Sequence, residues 1–345
     1  MAKKKYKTLI GLDIGCDSLK VVVCSGGKLK KGVQVPMPQN LMKAGRAVSP
    51  EALGELIRST LKENGISCRE AALVLPNDVV YLRNATMPRM TAEQLLYNLP
   101  FEFRDYISDE LKNYAFDYAM ISTPEELLRK PGKEDGEETE DGPGSMHLLA
   151  VAVPFEVIDE YRAALRKAGV KLVALAPTVS AFHELIGRLP NDGENAREDC
   201  VLDLGNESIR MYMFKGGRHV VTRVLEIGLQ TIDQVIADAL SVDAHLAHTY
   251  LLTNHENCQN AEYCLNTYGN IAVELMRALN FYRFSNPDSR VNDLWICGGG
   301  ANIRPLCTAI EEALDLTVHD LSELVGDVED AGTYAQAVGI TMTGD

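Results

Sequence analysis

Short apolar runs broken by polar turns alternate along this chain with stretches whose apolar residues recur at helical spacing, and the changes of period mark out its elements. Residues 12–28 read LDIGCDSLKVVVCSGGK: an apolar strand, a tight polar turn carrying Asp-x-Gly, a second apolar strand, and a Gly-Gly turn into a further strand flanked by basic residues. Residues 202–218, LDLGNESIRMYMFKGGR, repeat that pattern without a gap at a constant offset of 190 residues. Leu12, Asp13, Gly15, Ser18, Gly26 and Gly27 recur as Leu202, Asp203, Gly205, Ser208, Gly216 and Gly217, and six further pairs are conservative, Asp17 with Glu207 and Lys20 with Arg210 among them. An ungapped match of this length predicts two lobes that each open on the same β-meander.

Behind the first meander, SPEALGELIRSTLKENG has helical apolar spacing, with Ser49 as cap, Pro50 at the first helical position and Gly65 as terminator. A short strand, AALVLP, follows. From Val79 to Ala168 the pattern changes to a compact α+β insert: strand VYLRNATMP, helix TAEQLLYNLPFEFRDYI interrupted near Pro100, strands YAFDYAMI and HLLAVAVP, and a helix ended by Gly169. Between the insert's two middle strands, residues 128–145 hold six carboxylates framed by Gly and Pro, which predicts a mobile acidic loop. Behind the second meander come a helical region over 231–285, the buried strand and glycine turn VNDLWICGGGANI, a helix, and a last helix expected to pack back on lobe one. Lobe one thus spans 1–198, with its core in 1–78 and 169–198 and the insert at 79–168; lobe two spans 199–345, with the glycine turn at 296–303.

At 345 residues, with 46% hydrophobic and 24% charged side chains, the chain is that of a soluble globular protein of two domains. Its 34 basic against 49 acidic residues, net −15, argue against nucleic acid as the main ligand. No apolar run reaches the ~18 residues of a membrane helix and no secretory signal is visible, so a cytoplasmic location is expected. Eight cysteines without a Cys-x-x-Cys pair read as free thiols. His245, His248, His255, Cys258 and Cys264 cluster in sequence, but their spacing matches no common zinc module, and they read as surface or internally satisfied side chains.

The chemistry lies in the turns. Backbone amides of a tight turn converge into an anion-binding nest, and Gly15 or Gly205 lets a phosphate approach closely. Asp13 and Asp203, at the strand ends, have the chemistry to hold Mg²⁺ through water. Two such turns facing one another would grip a polyphosphate. Gly298, Gly299, Gly300 and Ala301, between a buried strand and a helix, leave a surface free of side chains on which a base or sugar can lie.

Two Asp-x-Gly hairpins and a late Gly-Gly-Gly-Ala turn resemble the actin/DnaK-type nucleotide-binding superfamily. More narrowly, the insert after LVLP, its strands FDYAMI and HLLAVAVP, and the helices FEVIDEYRAALRKAGVKLVAL and VELMRALNFYRF resemble the PilM family of actin-like type IV pilus assembly proteins, itself similar to FtsA, over residues 7–341. The resemblance implies a bilobed actin-like α/β fold of two duplicated RNase H-like domains with an FtsA/PilM-type α+β inserted subdomain. It implies ATP or ADP with Mg²⁺ as ligand, with Asp13, Gly15, Cys16, Asp17, Ser18 and Lys20 in the first phosphate loop and Asp203, Gly205, Asn206, Glu207 and Ser208 in the second. Gly298, Gly299, Gly300 and Ala301 would form the adenosine loop, with Glu274 and Arg277 beside the adenosine.

Ala176 stands where actin-like ATPases with good turnover carry the residue that orients the attacking water, and Gly228-Leu229 where family members tend to have two glycines. Hydrolysis is therefore expected to be weak, and Asp203 is all that the sequence offers toward a catalytic role. The alternatives of an FtsA-like filament former and a small-molecule kinase lack, respectively, a basic amphipathic helix at the end of the chain and an identifiable catalytic residue in the cleft. The resemblance further implies a PilN-like inner-membrane protein as partner, its N-terminal cytoplasmic tail docking in a groove between lobe one and the insert; Leu95, Leu96, Phe101 and Phe103 offer apolar side chains for its pockets, with roughly half of them expected to pack the helix against its own sheet instead. That tail would make the protein peripheral to the inner face of the membrane; other pilus platform proteins and further copies of the chain are additional expected contacts.

Overall fold

The computed structural model of the chain describes residues 8–121, 145–190, 196–326 and 331–343. In chain order its strands are β1 (Leu9–Ile14), β2 (Ser18–Ser25), β3 (Lys28–Pro36), β4 (Met42–Lys43), β5 (Arg46–Ala47), β6 (Glu70–Leu75), β7 (Tyr81–Pro88), β8 (Tyr114–Met120), β9 (Ser145–Pro154), β10 (Lys171–Pro177), β11 (Glu198–Leu204), β12 (Ile209–Lys215), β13 (Arg218–Leu225), β14 (Asp293–Cys297) and β15 (Thr317–Asp320). Contacts divide the chain into two compact units, one of residues 1–37, 66–74 and 172–345 and one of residues 38–65 and 75–171. Both copies of the repeated hairpin fall in the first unit, and the helix Pro50–Glu63 groups with the segment read as an insert.

The first unit holds two five-stranded sheets, ordered β10-β6-β1-β2-β3 and β13-β12-β11-β14-β15. Read from opposite ends, these are the same sheet twice: an antiparallel meander whose first strand pairs in parallel with a later one. The duplication extends to irregularities. The β2–β3 register shifts between Val23 and Cys24, and the β12–β13 register between Met213 and Phe214, at the same offset as the sequence repeat. A β-bulge places two residues opposite one and bends its strand, so both meanders carry the same bend.

Behind the second sheet, the expected helical region resolves into helices Leu229–Leu240, Ala244–Thr253 and Glu262–Ser285. The breaks lie at Ser241 and Asn254, both left-handed, and Asp243 caps the middle helix by accepting from the His245 and Leu246 amides. Ile232, Ile236, Leu251, Tyr268, Ile271, Leu275 and Leu279 from these helices close one core with Leu202, Leu204 and Met211 of the sheet. Full burial of each such side chain is worth roughly 1.5–3 kcal/mol. The helix expected at the end of the chain runs over Ala335–Ile340. It lies tightly against β1 and the helix Thr178–Ile186: a Cβ on Gly11 would fall 1.8 Å from the Ala337 carbonyl oxygen, and one on Gly339 2.2 Å from that of Ala181.

In the second unit, β7-β9-β8 form an antiparallel sheet. The helix Ala92–Asn98 starts on a capping box of Thr91 and Gln94 and passes into a 3₁₀ turn, Leu99–Phe103, around Pro100, the interruption that the sequence announces. Of the four residues weighed as pocket-formers, Leu95 and Phe103 are the ones buried against their own sheet with Ala85, Leu148 and Ala150, because they sit on the apolar face of the helix and turn. Leu96 and Phe101, on the other face, are exposed at 46% and 48%. Residues 128–144 of the expected acidic loop lie outside the described residues.

Candidate functional site

The site grows out of the two hairpins. Gly15 donates its amide to the Ser18 carbonyl at 3.0 Å, closing the first turn. Asp13 and Lys20 face each other across β1 and β2, and this register brings Lys20 Nζ to 3.0 Å from Asp13 Oδ2. Asp203 and Arg210 face each other in the second copy. Asp13 and Asp203 are both buried, so two carboxylates and an ammonium share one low-dielectric space. Burial presses the Lys20 pKa down, but Asp13 and the more distant Asp203 outweigh it and hold the group above its ordinary value. Asp203 is pushed above the usual carboxylate range, first by burial, against the pull of Lys20 and Arg210.

A third element completes Asp203. Gln336, on the helix Ala335–Ile340, donates from Nε2 to Asp203 Oδ2 at 2.9 Å, and its Oε1 accepts from the Thr178 hydroxyl at 3.3 Å. The glycine loop meets the same carboxylate: a Cβ on Gly298 would fall 2.6 Å from Asp203 Oδ1, and Gly298 sits at φ +84°. A Cβ on Gly300 would fall 2.7 Å from Leu204 Cβ. Packing therefore demands both flanking glycines. Gly299 differs, because its Cβ would meet only Leu229 Cδ1, at an ordinary 3.5 Å. The bare face at Gly299 is thus not required by the protein's own packing, which is what a ligand surface looks like.

The second turn has buried polar atoms to spare. Asn206 Oδ1 and Ser208 Oγ have no hydrogen-bond partner among the described residues, whereas Ser18 Oγ accepts from Gln34 Nε2 at 3.1 Å. Leaving such groups dry costs about 1–3 kcal/mol each, and a ligand would relieve it. The helix Leu229–Leu240 begins on this turn, with the Leu229 amide donating to the Gly205 carbonyl at 3.1 Å and the Gln230 amide to the Asn206 carbonyl at 3.0 Å.

The other candidates make contacts of their own. Glu274 and Arg277 form an ion pair with each other on an exposed face of the helix Glu262–Ser285. Ala301 lines a cavity with Arg304, Thr308 and Asp320. Cys16 and Glu207 occupy their turns. Among the zinc-like residues, His255 stacks on Tyr250 with ring centroids 4.2 Å apart, and the Cys258 thiol donates to the Tyr250 carbonyl. His248 Nδ1 is hydrogen-bonded to Asp233 at 2.9 Å, while its Nε2 lies 3.5 Å from Asp17 of the first turn, within ion-pair reach but without a hydrogen bond among the described residues. Gln336, Thr178, Asp233 and His248 carry no local signature that marks them as neighbours of the hairpins; only their contacts in the folded chain do so. No helix among the described residues is long and apolar enough to cross a membrane.

The profile of the family described as "Type IV pilus assembly protein PilM" matches residues 11–329. Among solved structures, the chain is similar to one described as the "PilM-PilN type IV pilus biogenesis complex", with a TM-score of 0.80, 23% identity and 98% of each chain covered. It is also similar to the ethanolamine utilization protein EutJ from Carboxydothermus hydrogenoformans (TM-score 0.59, 14% identity, 98% of this chain and 90% of that one). MreB5 of Spiroplasma citri, solved bound to ADP, gives a TM-score of 0.52 at 11% identity, with 98% and 96% covered. The duplicated sheets are those of an actin-like fold, and the match across nearly the whole chain makes this protein a member of the type IV pilus assembly PilM family.

Proposed function

We propose that this protein binds ATP or ADP with Mg²⁺ between its two hairpin turns and acts in pilus assembly by docking the cytoplasmic tail of a PilN-like inner-membrane protein. The observation that carries the nucleotide reading is the duplicated hairpin end: Asp13 paired with Lys20, Asp203 held by Gln336, and Asn206 Oδ1 and Ser208 Oγ without hydrogen-bond partners among the described residues. The first turn's amides and the Ser208 hydroxyl have the donors a phosphate needs. Asp13 and Asp203 would hold Mg²⁺ through its waters, since that ion keeps much of its hydration shell. The metal would neutralise phosphate charge; the bare Gly299 face would take the adenosine.

Turnover is expected to be slow. Ala176 packs with Ala72, Val74, Ala181 and Ile340, so the position holds a methyl group in an apolar cluster rather than a group that can orient water. Nucleotide then stabilises one arrangement of the protein by linkage. Steady-state turnover near the ~10 per second of ordinary enzymes would contradict this, and a rise on Ala176→Glu would support it.

The partner reading draws on the complex named in the similar structure, on the exposed Leu96, Tyr97 and Phe101 and on the edge strands β7 and β8 of the same unit. Membrane attachment would come through that partner. A fluorescent PilN-like tail peptide should bind the full chain, and Leu96→Asp with Phe101→Asp should weaken it at least about tenfold while leaving ADP binding intact. Unchanged peptide affinity in the double variant would move the docking surface elsewhere.

A further inference from the structure

Of the sequence's histidine and cysteine cluster, His248 comes within ion-pair distance of the first hairpin turn. It projects from the helix Ala244–Thr253, and its ring separates two carboxylates from different elements: Asp17 in the first hairpin turn and Asp233 on the helix Leu229–Leu240. Asp233 and His248 have little solvent exposure, 8% and 15% of their side chains, whereas Asp17 is 44% exposed. The helix that carries Asp233 is hydrogen-bonded at its first residues to the Gly205 and Asn206 carbonyls of the second turn. A chain of polar contacts therefore runs from the first turn through Asp17, His248 and Asp233 to the second turn.

We propose that His248 is a positioning residue of the nucleotide site, a cationic strut that fixes the spacing of the two phosphate-binding turns by pairing with Asp17 and Asp233 at once. The proposal rests on the nucleotide reading and assigns a part of the site that the hairpin motifs do not contain. A ring between two carboxylates favours its charged form, and Asp17, then Asp233, push the His248 pKa up to about 10 against the effect of burial. Asp17 is correspondingly held below its ordinary value, chiefly by His248 and against burial, with smaller pulls from Lys20 and His245. Cys264, packed in the same core, lies within electrostatic reach of Asp233. A neutral ring would keep its hydrogen bond to Asp233 but would have no charge with which to hold Asp17. Loss of the strut would let the first turn move away from the second, and bound nucleotide would escape faster.

Two readouts on the full chain separate this inference from the site reading. In nucleotide-free protein labelled with ¹⁵N-histidine, with the signal assigned by H248Q, the His248 ring should be cationic at pH 8 and should titrate at lower pH in D17N. A ring that titrates near 6.5 in the wild type would remove the strut, whether or not nucleotide binds. In stopped flow with fluorescent Mg–ADP, H248Q and D17N should each speed release about tenfold, and the double variant should be no faster than either single variant, as for two ends of one contact. Unchanged release, or effects that multiply, would overturn the positioning role. If wild-type protein binds no ADP, the site reading fails and the positioning role with it, while the ring titration still reports the charge.

Discussion

The first and second hairpins share strand register, turn length and even the place of their bulge, yet they hold their charges differently. Asp13 is paired within its own hairpin, by Lys20, and Ser18 is satisfied by Gln34 of the same meander. Asp203 accepts instead from Gln336, 133 residues away, and the Ser208 hydroxyl and the Asn206 side-chain Oδ1 have no hydrogen-bond partner among the described residues. Duplication has copied the backbone, which the small turn residues and strand alternation dictate, but not the side-chain partners. In the first turn Asp13 and Ser18 are satisfied locally, and Asp17 reaches a remote partner, His248. The second is finished by remote elements and keeps polar atoms available for a ligand.

The sharpest way to break this comparison is to make the same substitution at both places. Asp13→Asn should strip Lys20 of its partner, destabilising the nucleotide-free protein by about 3 kcal/mol and costing Mg–ADP affinity by about a hundredfold or more. Asp203→Asn should cost affinity similarly but should not destabilise. Because the folded-state pKa of Asp203 is raised, its contribution to stability is greatest below the ordinary carboxylate pKa and is lost as pH rises, so at neutral pH its charge is a burden that Asn removes. Chemical denaturation of the two variants at pH 7 checks this, and equal destabilisation would show that the hairpins are energetically alike.

The glycine loop offers a second contrast. Gly299→Val should abolish nucleotide binding with little change in melting temperature, whereas Gly298→Ala and Gly300→Ala should each lower stability by about 1–3 kcal/mol, since their Cβ atoms have no room. Thermal unfolding of the three proteins distinguishes them. Gln336→Ala, which leaves Asp203 without its donor, should weaken Mg–ADP by about tenfold in the same titration while Asp13 remains paired.

Much of this was legible in sequence because it is local. The repeat at residues 12–28 and 202–218 carries the turns, the cross-strand Asp13–Lys20 and Asp203–Arg210 register, and the strand order that follows from them. Ser49, Pro50 and Gly65 mark the ends of their helix, and Pro100 the break in the insert. What was not legible depends on which face of a helix meets which sheet. Gln336 in a short C-terminal helix and His248 in a helix with no special spacing reach the hairpins only through packing between elements far apart in the chain. Leu95 and Leu96 show the same limit on a smaller scale, adjacent residues of one helix with one buried and one exposed.

The smallest predicted effect concerns pH. His248, with its pKa raised to about 10, contributes stability that is whole below about pH 6.5 and is lost as pH rises toward 10, while the lowered pKa of Asp17 contributes stability that is lost only in acid. The difference in melting temperature between wild type and H248Q should therefore be greatest near pH 6 and should narrow toward pH 10. A difference independent of pH would mean that the ring acts by packing alone.

The central claim is that the two hairpin turns and the Gly299 face form one nucleotide site. Calorimetric titration of Mg–ADP into the full chain, freed of nucleotide, tests it most directly. Saturable one-site binding is expected, requiring Mg²⁺ and disappearing in Gly299→Val while the variant stays folded. Absence of binding by the wild type, or equal affinity in the variant, would contradict it.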